Sequence, residues 1–178
     1  MKWPDLREAL RGIPWAVAGA VATRMYMPER ATQDLDIVVL SRDAAAVRER
    51  LRTAGYALNG ELTIGGSTWT ASDGTSIDVI ESNQSWLEDA LAQAQSNRDP
   101  QHLPVLPLSY LVLMKLQASR AQDVADVTRM LGGADDAALG DVRAAVGRYA
   151  ADLADDLESL IALGQLELRD PERRADRA

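Results

Sequence analysis

Short apolar runs, separated by glycine, proline and polar residues, fill the first half of the chain and predict strands. The predicted strands lie at 15–18, 34–40, 56–58, 67–71 and 76–81. Elsewhere apolar residues recur three and four positions apart, which is typical of amphipathic helices. The predicted helices lie at 3–11, from the turn at 18–20 to about 25, and at 43–54, 85–95, 109–117, 123–131, 135–149 and 151–163. Strands therefore precede a helical second half.

The change from strands to helices predicts the domain organisation. Asparagine, aspartate and three prolines concentrate between 97 and 107, and such residues favour a loop. We expect a core over 1–96, a linker over 97–107 and a helical part over 108–168. The charged residues 169–178 are expected to form a flexible tail.

Three aspartates interrupt the predicted strands. Asp34 and Asp36 open one apolar run, and Asp78 lies within another. Because successive side chains of a strand point to opposite faces, Asp34 and Asp36 share one face. If the strand of Asp78 lies alongside, three carboxylates converge, and their repulsion is costly unless a cation compensates it. An Asp-x-Asp pair also arises by chance, at turns or beside arginine, but the third aspartate favours a site for a hard divalent cation.

The small residues around Gly19 predict a tight turn between a strand and a helix. Ala18, Gly19 and Ala20 let the backbone approach a ligand closely, and amides at the start of a helix suit a nucleotide phosphate. A turn that serves only packing remains the alternative.

Composition narrows the class of protein. The 178 residues contain no cysteine and one histidine, His102, which excludes a zinc site with thiolate or multiple imidazole ligands. The formal net charge of −8 opposes nonspecific adhesion to nucleic acids or anionic membranes. No apolar run has membrane-spanning length and no secretory signal is recognisable, so we expect a cytoplasmic protein without membrane contact.

Four motifs together carry a family resemblance over about residues 15–131. They are Val17-Ala18-Gly19-Ala20-Val21-Ala22, the stretch from Tyr26 to Asp36, Ile77-Asp78-Val79, and Lys115-x-x-Ala118-x-Arg120-x-x-Asp123-x-x-Asp126. This combination resembles the AbiEii- and MenT-type nucleotidyltransferase-like proteins of the DNA polymerase beta superfold. The resemblance implies an α+β fold in which a small mixed β-sheet with flanking helices precedes a C-terminal helical bundle. It also implies that a nucleoside triphosphate and Mg²⁺, or Mn²⁺, bind between the part that contains the sheet and the helical part.

The resemblance implies a role for each matching residue. Asp34 and Asp36 match the family's metal-binding doublet, and Asp78 matches a third metal-binding carboxylate that helps activate the acceptor hydroxyl. Gly19 and Ala20 match the phosphate-facing turn, although many relatives have glycine or serine in place of Ala20.

In the last motif, Lys115 matches a lysine expected to touch the triphosphate. Asp123 and Asp126 match the acidic positions of that motif. On one unbroken helix, Lys115 and Asp126 would lie about 16 Å apart and could not touch. Either the helix breaks near Ser119, or Lys115 serves the nucleotide while Asp126 holds Arg120 or a helix N-terminus. We favour the second arrangement and leave the role of Asp123 open.

The predicted reaction is metal-dependent transfer of a nucleotidyl group from a nucleoside triphosphate to an acceptor hydroxyl. Relatives act as toxins on the tRNA 3′ end, so a tRNA acceptor and an antitoxin partner follow by analogy. The acidic net charge leaves two alternatives open. One is transfer to a small cationic molecule, such as an antibiotic or metabolite, and the other is a catalytically inert nucleotide-binding module.

Overall fold

The computed structural model describes residues 2–28 and 31–169. The strands are β1 (Trp15–Val17), β2 (Asp34–Leu40), β3 (Ala57–Glu61), β4 (Gly66–Thr70) and β5 (Ser76–Ser82). The helices are α1 (Gly19–Thr23), α2 (Ala44–Thr53), α3 (Leu87–Ala94), α4 (Leu108–Ala118), α5 (Ala121–Gly132), α6 (Asp136–Tyr149) and α7 (Ala154–Arg169). Contacts divide the chain into two units, of which the first includes 2–24 and 31–107 and the second 25–28 and 108–169.

The five strands of the first unit form one mixed sheet in the order β1-β2-β5-β4-β3. β1 is antiparallel to β2, β2 is parallel to β5, and β4 is antiparallel to both β5 and β3. The parallel pair brings together two strands that lie far apart in the sequence. The predicted α+β class, with a small mixed sheet followed by helices, is confirmed.

The segment 97–107, which the sequence predicts as a linker, packs inside the first unit. Val17 of β1 donates its N–H to the carbonyl of Pro104 at 2.7 Å and accepts from the N–H of Leu106 at 3.0 Å. Proline has no backbone N–H to donate, but its carbonyl oxygen still accepts, so a segment that contains proline can pair with a strand edge. The second unit begins at Leu108.

The predicted helix at 3–11 is wrong. Residues 7–12 form turns, within which Leu10 donates to the carbonyl of Leu6 at 2.8 Å. The carboxylate of Asp5 accepts the N–H of Arg7, and this local bond competes with helix formation. Leu6, just before the turns, and Leu10 within them are buried and supply side chains to the core of the first unit.

The second unit is helical, and α5 packs closely on α7 where two glycines meet. A Cβ on Gly132 would lie 2.5 Å from the carbonyl oxygen of Gly164, and one on Gly164 would lie 2.2 Å from that of Thr128. The two backbones approach this closely because neither glycine has a side chain. Of the predicted tail, only Arg169 is described, as the last residue of α7, and 170–178 lie outside the described residues.

None of the helices within residues 2–28 and 31–169 combines the length and apolarity needed to cross a lipid bilayer.

Candidate functional site

The register between β2 and β5 brings the predicted acidic residues of the first unit to one face of the sheet. Asp36 pairs with Asp78 and Asp34 pairs with Ser76 along the parallel ladder. Paired residues on adjacent strands point to the same face, and the two strands lie about 4.8 Å apart. Residues two positions apart on one strand also share a face. The three aspartates therefore project from the same side of the sheet.

The two faces of these strands differ in exposure. On one face Leu35, Ile37 and Val79 are fully buried in the core. On the other, Asp34 is exposed, whereas Asp36 and Asp78 are half-buried. A ligand can therefore reach the carboxylates from solvent, while the apolar face behind them keeps their strands in place.

A hydroxyl from the neighbouring strand orients the carboxylate of Asp78. Thr68 of β4 pairs with Asp78, and its Oγ1 donates to Oδ1 of Asp78 at 2.8 Å. Thr70, two residues along the same face, accepts instead from Nδ2 of Asn59. The sequence analysis missed Thr68 because its partner depends on the register between strands.

Gly19 lies directly against Asp36. Its backbone has φ +56°, and a Cβ there would lie 1.8 Å from Oδ2 of Asp36 and 2.5 Å from Cγ. The preceding residue, Ala18, donates its N–H to the carbonyl oxygen of Asp36 at 2.9 Å. Glycine is thus needed at this position for two reasons, its left-handed conformation and the volume that the carboxylate occupies. Ala20, the other predicted turn residue, is buried.

The acidic face fits a divalent cation that takes some of its ligands from the protein and the rest from a substrate and water. Within residues 2–28 and 31–169, no three acidic, histidine or cysteine side chains are grouped closely enough to hold a metal ion. Mg²⁺, however, commonly binds one or two carboxylates and completes its shell with water and substrate phosphates. The oxygen donors of Asp36 and Asp78, placed side by side, are of this kind.

In the second unit, Lys115 forms a buried ion-pair network with both predicted aspartates. Its Nζ donates to Oδ1 of Asp123 and to Oδ2 of Asp126, each at 2.9 Å. Of the two alternatives that the sequence leaves open, the break near Ser119 is the one found, since α4 ends at Ala118, Ser119 has φ +52° and α5 begins at Ala121. The favoured role, in which Asp126 holds Arg120 or a helix end, stays a prediction, and Asp126 also pairs directly with Lys115.

The charges in this network compensate one another. Burial opposes ionisation of Asp123, yet hydrogen bonds from Arg120 and Lys115 hold the pKa of Asp123 below its ordinary value. Gln122 donates from Nε2 to Oδ1 of Asp126 at 3.0 Å. Asp126 is fully buried, and these donors offset the cost of removing its charge from water. The predicted nucleotide contacts of Lys115, Asp123 and Asp126 stay predictions.

No protein-family model and no curated protein sequence matches the chain. Among solved structures, it is similar to the antibiotic-resistance factor ANT(2″)-Ia in solution, with 16% identity over 97% of this chain and 94% of that chain and a TM-score of 0.48. It is also similar to the crystal structure of ANT(2″)-Ia in complex with adenylyl-2″-tobramycin, with 15% identity over 92% and 94% and a TM-score of 0.49. A third similar structure is the lincomycin-bound lincosamide antibiotic adenylyltransferase LnuA, with 10% identity over 79% and 90% and a TM-score of 0.43.

Proposed function

We propose that the chain is a metal-dependent nucleotidyltransferase, which moves a nucleotidyl group from a nucleoside triphosphate to an acceptor hydroxyl. The observation that carries this proposal is the pairing of Asp36 with Asp78 on adjacent parallel strands, with the backbone of Gly19 against Asp36. Two carboxylates beside a close-approaching backbone turn form a place for a cation and a phosphate together.

Asp36 and Asp78 would hold Mg²⁺ or Mn²⁺, and Asp34, on the same face two residues earlier, would add a further carboxylate. The cation, when bound, neutralises charge on the triphosphate and makes its α-phosphorus easier to attack. The turn at Gly19 would face the phosphates, because it lies directly beside the Asp36 carboxylate that would hold the cation.

In the proposed reaction, the acceptor oxygen forms a bond to the α-phosphorus, and the bond from that phosphorus to the bridging oxygen breaks. Pyrophosphate leaves with the electron pair, and Asp78 takes the proton of the acceptor hydroxyl. Thr68 fixes the orientation of Asp78 through its 2.8 Å hydrogen bond and so keeps one carboxylate oxygen available for the acceptor. In-line positioning of the two reactants supplies much of the rate enhancement in this type of transfer.

The family resemblance supports a hydroxyl of the tRNA 3′ end as the acceptor, and with it a toxin that an antitoxin partner restrains. A second candidate acceptor, a small cationic molecule such as an aminoglycoside-like alcohol, is favoured by charge. The chain has a formal net charge of −8, and three carboxylates share the proposed reacting face. A field of this sign attracts cations and repels a polyanion.

Label transfer tests the proposal and separates the acceptors. The protein is incubated with each α-³²P-labelled nucleoside triphosphate and Mg²⁺, either with total RNA or with a panel of aminoglycosides and neutral alcohols. We expect label in one class of acceptor for the wild type and at least a 100-fold slower transfer for Asp36→Asn. Asp73→Asn is the matched control, since Asp73 accepts the N–H of Thr75 in an exposed turn of the same unit.

Label in RNA selects the tRNA acceptor, and label in an aminoglycoside selects the small-molecule acceptor. Triphosphate binding without transfer to either class means an inert nucleotide-binding module and overturns the enzymatic proposal. Equal rates for Asp36→Asn and Asp73→Asn would overturn the assignment of the site.

A further inference from the structure

A pocket in the first unit lies where β1 begins and β2 ends, away from the aspartates at the start of β2. It has a volume of about 550 Å³ and includes Trp15, at the start of β1, and Leu40, at the end of β2. Leu40 follows Asp36 by four residues, a distance of about 13 Å along an extended strand. The pocket is therefore separate from the proposed reaction site.

The wall of this pocket is apolar. Leu10, Trp15, Leu40 and Leu91 line it, and each is also part of the buried core, so the wall is fixed by core packing. A pocket of this size with a wall of this kind suits the apolar or aromatic body of a small ligand.

The rim is basic in a chain that is acidic overall. Arg7, Arg11, Arg42 and Arg98 line the pocket together with one carboxylate, Glu88. The formal net charge of the whole chain is −8, so the pocket concentrates charge of the opposite sign.

Three of these arginines have carboxylate partners that an incoming anion can replace. Arg7 pairs with Asp5, and Arg11 pairs with Glu8. Arg42 pairs with Glu88. These side chains are all exposed to solvent, and exposed ion pairs of this kind contribute little to stability.

Arg98 is held in place at the rim by neutral acceptors. Its Nε donates to the carbonyl of Gln95 at 2.9 Å and its Nη1 donates to the carbonyl of His102 at 2.8 Å. Among the described residues no carboxylate forms an ion pair with it. A fixed guanidinium without a paired carboxylate is a favourable partner for an anionic head group.

We propose that this pocket binds a small amphiphilic anion, which places an apolar or aromatic body against Trp15 and Leu91 and an anionic head group at Arg98. The head group is a carboxylate, sulfonate or phosphate monoester, since all three match the guanidinium donors. The site does not depend on the proposed nucleotidyl transfer.

A fluorescence titration with 8-anilinonaphthalene-1-sulfonate tests the proposal, because this probe combines an aromatic body with a single anionic group. We expect one saturable site on the folded protein and affinity that weakens as the ionic strength rises. N-phenyl-1-naphthylamine, which has the same rings but no sulfonate, is expected to bind at least tenfold more weakly.

Two variants of one exposed pocket residue provide a matched pair. Ala92 lies on α3 and lines the pocket, and glutamate and lysine are both good helix formers at such a position. We expect Ala92→Glu to weaken probe binding about tenfold through charge repulsion and Ala92→Lys to leave it equal or tighter. Arg98→Gln should weaken binding by a similar factor, and Asp36→Asn should not change it.

Displacement of the probe identifies the head group. Octanoate that competes better than octyl phosphate indicates a carboxylate ligand, the reverse order indicates a phosphate monoester, and octanol should not compete. Absence of a saturable site overturns the proposal. So does equal binding of the neutral analogue, or equal affinity of Ala92→Glu and Ala92→Lys.

Discussion

Replacement of Gly19 by alanine tests the proposed reaction site with a single methyl group. The new Cβ would lie 1.8 Å from Oδ2 of Asp36, and ordinary contact begins at 3.4 Å, so the carboxylate must move by roughly 1.6 Å. A displacement of about 1 Å in a catalytic group can cost about 100-fold in rate. We therefore expect a loss of about 100-fold or more in kcat/KM for label transfer, equivalent to about 2.7 kcal/mol of transition-state stabilisation.

Gly55→Ala is the matched control, because it introduces the same kind of backbone strain without a clash. Gly55 has φ +87°, and a Cβ there would meet no atom within 4 Å. An L-residue in the left-handed region costs about 1–2 kcal/mol, so urea unfolding should report a loss of this size for Gly55→Ala and an equal or larger loss for Gly19→Ala, which also has the clash.

Only Gly19→Ala should reduce the rate of label transfer and the affinity for Mn²⁺, measured by electron paramagnetic resonance. The reasoning is refuted if Gly55→Ala loses as much activity as Gly19→Ala, or if a folded Gly19→Ala variant keeps wild-type affinity for Mn²⁺. Because the metal affinity is measured without turnover, this test does not depend on which acceptor the protein uses.

Three further predictions follow from the contacts of each unit. Thr68→Val should weaken Mn²⁺ affinity by about 10–100-fold, while Thr68→Ser and the neighbouring Thr70→Val should keep it, because the Thr68 hydroxyl orients the Asp78 carboxylate. Gly164→Ala should destabilise the protein by about 1–3 kcal/mol in urea unfolding, since its Cβ would meet a backbone oxygen at 2.2 Å. Gly140→Ala, in a helix with open space around it, should instead stabilise by about 0.5–1 kcal/mol. The pKa of Asp123 is lowered in the folded state, so its ionised carboxylate stabilises the fold. This contribution is full above the ordinary pKa of the group, about 3.9, and is lost as the pH falls through the lower pKa of the folded state. Urea unfolding between pH 5 and pH 2 measures the loss.

Each of these predictions has a contradicting result. Equal Mn²⁺ affinity for Thr68→Val and Thr70→Val would remove the orienting role of the Thr68 hydroxyl. Equal stability of Gly164→Ala and Gly140→Ala would mean that the helices do not cross closely at Gly164. If Asp123→Asn shows the same loss of stability with acid as the wild type, the low-pH transition belongs to other carboxylates.

The acidic strand could be predicted closely from the sequence, but its partner could not. The run from Asp34 to Leu40 coincides with β2, and the alternation of buried and more exposed residues over 34–37 fixes the side of each aspartate. The pairing of Asp36 with Asp78 and of Thr68 with Asp78 depends on strand order and register. Those are set by tertiary packing, which no local pattern encodes.

Competition from a local side-chain hydrogen bond explains why the predicted helix at 3–11 does not form. The apolar spacing of Leu6 and Leu10 is helical, and both side chains are buried as that spacing implies. Pro4 cannot donate a backbone hydrogen bond, and the Asp5 carboxylate takes the N–H of Arg7. Burial of the two leucines is therefore achieved by turns, and periodicity alone does not distinguish the two outcomes.

The break at Ser119 brings together charged residues that would lie far apart on a continuous helix. Ser119 has φ +52°, a conformation that costs a residue other than glycine about 1–3 kcal/mol. The reversal brings Lys115 within 2.9 Å of both Asp123 and Asp126, whereas on a continuous helix Asp126 would lie about 16 Å away. Because these charges are buried, the hydrogen bonds among them chiefly offset the cost of removing the charges from water. The sequence shows the charges and the apolar spacing on both sides of Ser119, but only the folded chain shows that the reversal brings the charges together.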